Sequence, residues 1–357
     1  MRRVSTLLEA EGRVEGLPGR LLENANLAFQ GCITLGMGFV IDPAEAARWI
    51  EQDPKNAEIL FPYLNGENLN SRPDCSGSRW VIDFNEMSLQ DAEKFLLPFE
   101  HIQLLVRPER ARGSRAVAEA NWWQHLRSRP AMRAAIREFD EVLVIALVSK
   151  TLMPIRVPTG QVFSHALGVF ATDSFATQAV LSSSAHYFWA VKYGSGMRND
   201  PRYTPSDVFE TFPRPADNDR LEAVGRMLDI ERREIMFRRD LGLTKLYNLV
   251  NDTAVTDAME RDVARLREIH VQIDNAVMEA YGWGDVPLQH GFHTYRKMER
   301  FTISPAARVE ILDRLLKLNR ERTDAEAEQS KVPEATGTVK AKRGRKSKVD
   351  DSQGAMF

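Results

Sequence analysis

Leu181–Pro215 reads LSSSAHYFWAVKYGSGMRNDPRYTPSDVFETFPRP, and it divides the chain into two unlike halves. It opens as an amphipathic helix pattern and breaks at Gly194-Ser195-Gly196. A basic, aromatic, proline-punctuated loop follows, carrying Lys192, Tyr193, Ser195, Arg198, Asn199, Arg202 and Tyr203. The glycines permit turns that let a loop enter a groove. Arg and Asn are the residue types that match guanine and adenine edges. A plainer reading stands beside this one: an interdomain loop whose arginines pair with Asp200, Asp207 and Glu210.

Before this stretch the text is mixed. Short β-like runs recur at Gly38–Ile41, Trp80–Phe84, Val142–Val148 and Ala166–Phe170, separated by Gly, Pro and Asn. Helical patterns alternate with them. Pro43–Ile50 follows Asp42, a capping residue with proline at the first helical position, and Ser88–Leu97 is a second helix. After Pro215 the text turns helical, over Asp219–Asn251 and Asp257–Tyr281. In the latter, Met259, Val263, Leu266, His270, Ile273, Val277 and Ala280 form a heptad seam. A last helix opens at Ser304-Pro305. The expected fold is therefore α+β: a mixed α/β domain over 25–216, then an α-helical bundle over 217–323 packed on that domain or on a partner. A disordered basic tail over 324–357 completes it.

Composition excludes several classes. The 357 residues balance 48 basic against 50 acidic side chains for a net charge of -2, so charge distribution matters more than its sum. Cys32 and Cys75 lie far apart, without the spacing of a zinc site or a disulfide framework, as in a reduced cytoplasmic protein. No apolar run approaches the length of a membrane helix, and the N-terminus lacks the apolar core of a secretory signal. No membrane association is expected.

Catalytic patterns are weak throughout. Leu35-Gly36-Met37-Gly38-Phe39 superficially resembles the glycine turn that holds S-adenosylmethionine, but no acidic ribose-binding residue follows at a suitable spacing. The paired-proline loop that grips a flipped base is missing; Asn199-Asp200-Pro201-Arg202-Tyr203 is the nearest string. Asp53-Pro54-Lys55 has the letters of a nuclease motif, but its proline would break the strand that should carry it. Ser182–Ser184 near His186 lacks a nucleophile-elbow frame, and His290 with His293 lacks further ligands at usual spacing. No catalytic residue, metal ligand or cofactor of this chain is expected.

Basic patches are stronger. Between Arg107 and Arg137 stand eight arginines, Arg107, Arg110, Arg112, Arg115, Arg127, Arg129, Arg133 and Arg137, against Glu109 and Glu119, a local net of +6. Trp122, Trp123 and His125 lie among them. Arginine suits bidentate phosphate and guanine contacts; the alternative is a solvated basic face over two core tryptophans. Lys150 and Arg156 follow the Val142–Val148 strand, where they could face the same groove as Arg202. In the tail, Arg343-Gly344-Arg345 flanked by lysines resembles the core of a minor-groove hook, or a nonspecific polycation.

Several strings together resemble the specificity half of MmeI-like (type IIL) restriction-modification enzymes and related adenine-specific DNA methyltransferases. They are Gly36–Ile41, Pro62–Asn70, Ser78–Phe84, Val106–Arg110, Arg202–Pro213 and Ala280–Trp283, collinear over roughly residues 25 to 322. The resemblance implies a target recognition domain over 25–216 and a C-terminal helical domain over 217–323 that clamps the duplex, with 1–24 a linker remnant. It implies double-stranded DNA as one partner and a methyltransferase chain, with or without a nuclease, as another. S-adenosylmethionine would belong to that partner, and the setting would be restriction and phage defence. Of the contact region, the resemblance carries over only Arg198 to Tyr203. The rival expectation is a helical protein-interaction scaffold of a DNA-defence complex, docking a partner helix on the heptad seam.

Overall fold

The computed structural model describes residues 16–197, 200–295 and 298–329. Its first part rests on two four-stranded sheets. Along the chain come β1 (Ala28–Gln30), β2 (Val40–Ile41), α1 (Pro43–Gln52), β3 (Leu60–Leu64), α2 (Gly66–Ser71), β4 (Arg79–Ile82), α3 (Leu89–Ala92) and α4 (Leu96–Ala111). There follow α5 (Arg115–Ala118), α6 (Pro130–Ile136), β5 (Glu141–Ala146), β6 (Ile155–Pro158), β7 (Val162–Phe163) and β8 (Leu167–Phe170). One sheet runs β1-β8-β5-β6 and is antiparallel throughout; the other runs β2-β4-β3-β7, with β3 and β7 parallel. Every residue of Val142–Ala146 and of β8 is buried, which is why both read as continuous apolar runs rather than alternating ones. The two sheets meet where the Cys32 amide donates to the Phe163 carbonyl, 2.7 Å away.

After α7 (Phe175–Ser182), Leu181–Pro215 forms α8 (Ser184–Tyr193), a small ribbon of β9 (Ser195–Met197) and β10 (Asp200–Arg202), and the short α9 (Pro205–Val208). The amphipathic pattern expected there is not what forms. Ala176–Ser182 and Ala185–Val191 are buried on every side, so these helices run through the interior. Ser183 separates them, its hydroxyl capping the His186 amide.

Beyond lie α10 (Asp219–Arg239), α11 (Leu243–Val250), α12 (Arg261–Ala280), a second ribbon of β11 (Gly291–Tyr295) and β12 (Met298–Thr302), and α13 (Pro305–Gln329). The long helix expected to Asn251 breaks at Asp240, whose φ of 52° is left-handed. The helices pack on the first part of the chain, one of the two placements expected of them. α10 lies so close on α7 that a Cβ at Gly225 would collide with the Phe175 carbonyl, and one apolar cluster runs through both halves. The heptad seam is spent inside it: Val263, Leu266, Ile273 and Val277 are buried, which removes the partner-docking face expected of them.

The predicted linker and tail also change character where they are described. The Asn319 side chain takes both the amide and the carbonyl of Gly19, at 2.9 and 2.7 Å. Glu326 accepts from the Leu22 amide at 3.0 Å, Arg322 pairs with Glu23, and Asn24 donates to the carbonyls of Phe209 and Phe212. Thus Gly16–Asn24 straps the last helix to the sheets, and α13 continues to Gln329, past the expected boundary. Among the described residues no helix is long and apolar enough to cross a membrane.

Candidate nucleic-acid interface

The ribbon β9–β10 stands outside both sheets, with Ser195 opposite Arg202 and Asp200 opposite Met197. It is anchored at its base. Val148, just past β5, bridges Arg202, and the Tyr203 amide donates to the Leu147 carbonyl at 2.7 Å. Gly194 makes the sharp exit from α8 possible, since a Cβ there would collide with the Ala190 and Arg202 carbonyls. Ser195 is exposed, with its hydroxyl 3.3 Å from that of Thr204. Arg202 and Lys192 are half-buried and Lys150 is exposed; in the chain each stands at, or within two residues of, Val148, Gly194 or Arg202. Arg198 and Asn199, between the two strands in sequence, lie outside the described residues, as do Arg343 and Arg345.

Three expected contact residues are turned inward instead. Tyr203 is fully buried, its hydroxyl 3.0 Å from His186 Nε2. Burial pushes the phenol up and pushes His186 down to about 4. A neutral imidazole with its proton on Nδ1 donates to the Leu181 carbonyl and accepts from Tyr203, satisfying all three groups. Arg110 is also buried: its guanidinium donates to the carbonyls of Leu35, Thr34 and Gln124. Arg156 lies flat on the Phe175 ring, 3.9 Å from its centroid, and donates to the Asp173 carbonyl. The physical reason is common to the last two. Arginine carries five donors in a fixed fork, so it serves backbone carbonyls that no sheet or helix partners.

The same logic disperses the +6 window. Arg129 bonds the Gly31 carbonyl and Gln30, and Arg133 holds Asp83 and the Ser128 carbonyl. Arg115 pairs with Glu119 and Arg137 with Glu138. Only Arg107, Arg112 and Arg127 remain exposed without an ion pair among the described residues, and Arg107 rests over Trp122. His125 is interior, pushed down by burial although Asp83 lies 3.6 Å away.

The weak catalytic strings resolve into structure. Asp53 caps the turn before β3 by accepting from the Lys55 amide. Gly36, at φ 141°, packs its turn against Val106 of α4. Ser184 and His290 both bond Asp274, at 2.6 and 2.9 Å. His293 bonds the Gln289 carbonyl. Both thiols are buried, and burial pushes Cys75 up to about 11. Among the described residues no group of acidic, His and Cys side chains could hold a metal ion.

One cation escaped the sequence reading. Arg300 of β12 donates to the Lys150 carbonyl at 2.7 Å and stacks 3.9 Å from the Tyr187 ring centroid. Its signal in the sequence is brief alternation in Gly291–Thr302, the stretch that carries His293.

A family model described as MmeI, target recognition domain, matches residues 24–216. No curated protein matches the chain. The fold is similar to that in the structure of the Type IIL restriction-modification enzyme MmeI in complex with DNA, with a TM-score of 0.58 and 17% sequence identity over 88% of this chain. This chain spans 37% of the length of that one.

Proposed function

Because the chain belongs to the MmeI target recognition domain family, we propose that it reads duplex DNA for an adenine-specific (N6) methyltransferase or restriction-modification system. The observation that carries this reading is the ribbon β9–β10, clamped to the end of β5 with Lys150, Lys192 and Arg202 around its base. B-DNA's major groove admits a two-stranded ribbon. Cations at the base of such a ribbon meet phosphates and fix its register, while groups along it meet base edges. Chemistry is assigned to a partner chain, which supplies S-adenosylmethionine and flips the adenine.

The test is equilibrium binding to a duplex as salt is raised from about 50 to about 200 mM. Phosphate contacts predict a fall of orders of magnitude over that range. Salt-independent or undetectable binding sinks the proposal. The rival scaffold reading loses most of its docking face, since Val263, Leu266, Ile273 and Val277 of the heptad seam are buried.

A further inference from the structure

We propose that the outer face of α4 pairs with the same face of a second copy of this chain, the two helices lying antiparallel across a two-fold axis between Gln103 and Leu104. The proposal concerns the free protein and stands apart from the DNA reading.

α4 carries two stripes. Phe99, Ile102, Val106 and Arg110 face the core and are buried. Turned away from them, Leu97, Glu100, Leu104, Arg107 and Ala111 recur at spacings of three and four, which puts them on one face. Leu97 is half-buried and the other four are exposed. Leu104, at the middle of the stripe, is 74% exposed, and Leu96 and Leu105 are exposed on its two flanks. Beside Leu105 the turn before β2 adds Met37, 80% exposed. The Met37 amide donates to the Glu109 carboxylate at 3.2 Å, which holds the turn against the helix. The turn is already pressed close, since a Cβ on Gly38 would collide with that of Leu105. Contiguous apolar surface of this kind marks a contact with another molecule.

The charges select a second copy as the occupant. Glu100 and Arg107 stand on either side of Leu104, and neither has an ion-pair partner among the described residues. Arg107 rests over the Trp122 ring and stays exposed. A two-fold interface is self-complementary, so each contact occurs twice with the roles of the copies exchanged. With the axis between Gln103 and Leu104, Glu100 of each copy falls opposite Arg107 of the other, and one axis makes two ion pairs. The same register sets Leu96 opposite Ala111, a large side chain against a small one, and brings the two Leu104 side chains together at the centre. A partner of another kind needs neither this symmetry nor opposite charges at equal distances from one axis.

The experiment is sedimentation velocity of the full chain without DNA, over a range of concentrations. It includes Leu104→Glu, Glu100→Arg, Arg107→Glu and the double variant carrying both charge reversals. Expected is reversible dimerisation of the parent, abolished by Leu104→Glu. Each single reversal sets like charges opposite one another twice and should weaken the dimer by about tenfold or more. The double variant restores both pairs with their signs exchanged and should recover most of the association. These side chains are exposed, so unfolding midpoints should match the parent, and recovery by the double variant cannot come from a damaged fold. A parent that stays monomeric at every concentration overturns the proposal; if Leu104→Glu then abolishes capture of a methyltransferase chain, the face belongs to that partner instead. A dimer indifferent to all the variants pairs elsewhere, and one weakened by the single reversals but not restored by the double lacks this register. Either result overturns the proposal as well. DNA takes no part in the measurement, so failure here leaves the functional reading untouched.

Discussion

The window Arg107–Arg137 and the segment Lys192–Tyr203 are both basic and aromatic, yet they fold in opposite directions. The window holds more charge, and most of it goes to the protein itself. The chain just after β1 and the chain between α4 and α6 have little regular structure, and Arg110, Arg129 and Arg133 supply donors to their carbonyls, at Gly31, Thr34, Leu35, Gln124 and Ser128. The segment holds less charge but sits on a ribbon whose backbone is already paired, and the Arg202 and Lys150 side chains bond no carbonyl among the described residues. A local count of arginines thus measures demand for donors as much as supply of surface charge.

The sharpest way to break this comparison is Arg110→Ala. It empties the buried guanidinium's place and leaves the Leu35, Thr34 and Gln124 carbonyls short of a donor, and should cost about 3 kcal/mol in denaturant unfolding. DNA affinity per folded molecule should be unchanged. A stable variant with weakened binding would put Arg110 on the surface.

Acid should cost somewhat less. His186 and His270 are each pushed down to about 4, chiefly by burial, from an ordinary value near about 6.5. Between those values the unfolded chain binds protons that the folded chain refuses, so stability is full above about 6.5 and falls as pH drops toward about 4. Unfolding midpoints measured at about pH 7 and about pH 5 should show the loss, and His186→Gln should flatten its slope. A stability independent of pH over that range would contradict the buried neutral imidazoles.

Arg202→Glu is the converse of Arg110→Ala. It should weaken duplex binding by more than about tenfold at low salt with little change in unfolding midpoint. Lys150→Ala should reduce the salt slope by about one and weaken all sequences alike. The smallest effects belong to Arg107→Ala, Arg112→Ala and Arg127→Ala, each within about threefold. A larger loss at any of these would restore the window as an interface.

Much of the architecture was legible because it is written in local periodicity. The core strands announced themselves as unbroken apolar runs, and Pro305 and Pro43 marked helix starts at the positions where they occur. What was illegible depends on distant partners. Nothing near Gly225 in sequence says that Phe175 will press on it, and nothing near Gly19 names Asn319. Tyr203 reads as a contact residue in the sequence because its partner His186 lies a helix away. The second ribbon was missed because its strands are short and interrupted by charge, so the period-two signal is brief.

The bare contact between Gly225 and Phe175 has a mechanical meaning. Two helices pressed backbone to backbone, with no side chain between them, have no bearing surface on which to roll. α10 is 21 residues long, a rod of about 30 Å, and it is fixed at that point to the helix that feeds α8 and the first ribbon. The spacing of α7 and α10 at that point is therefore set by backbone, and no exchange of side-chain rotamers can widen or narrow it.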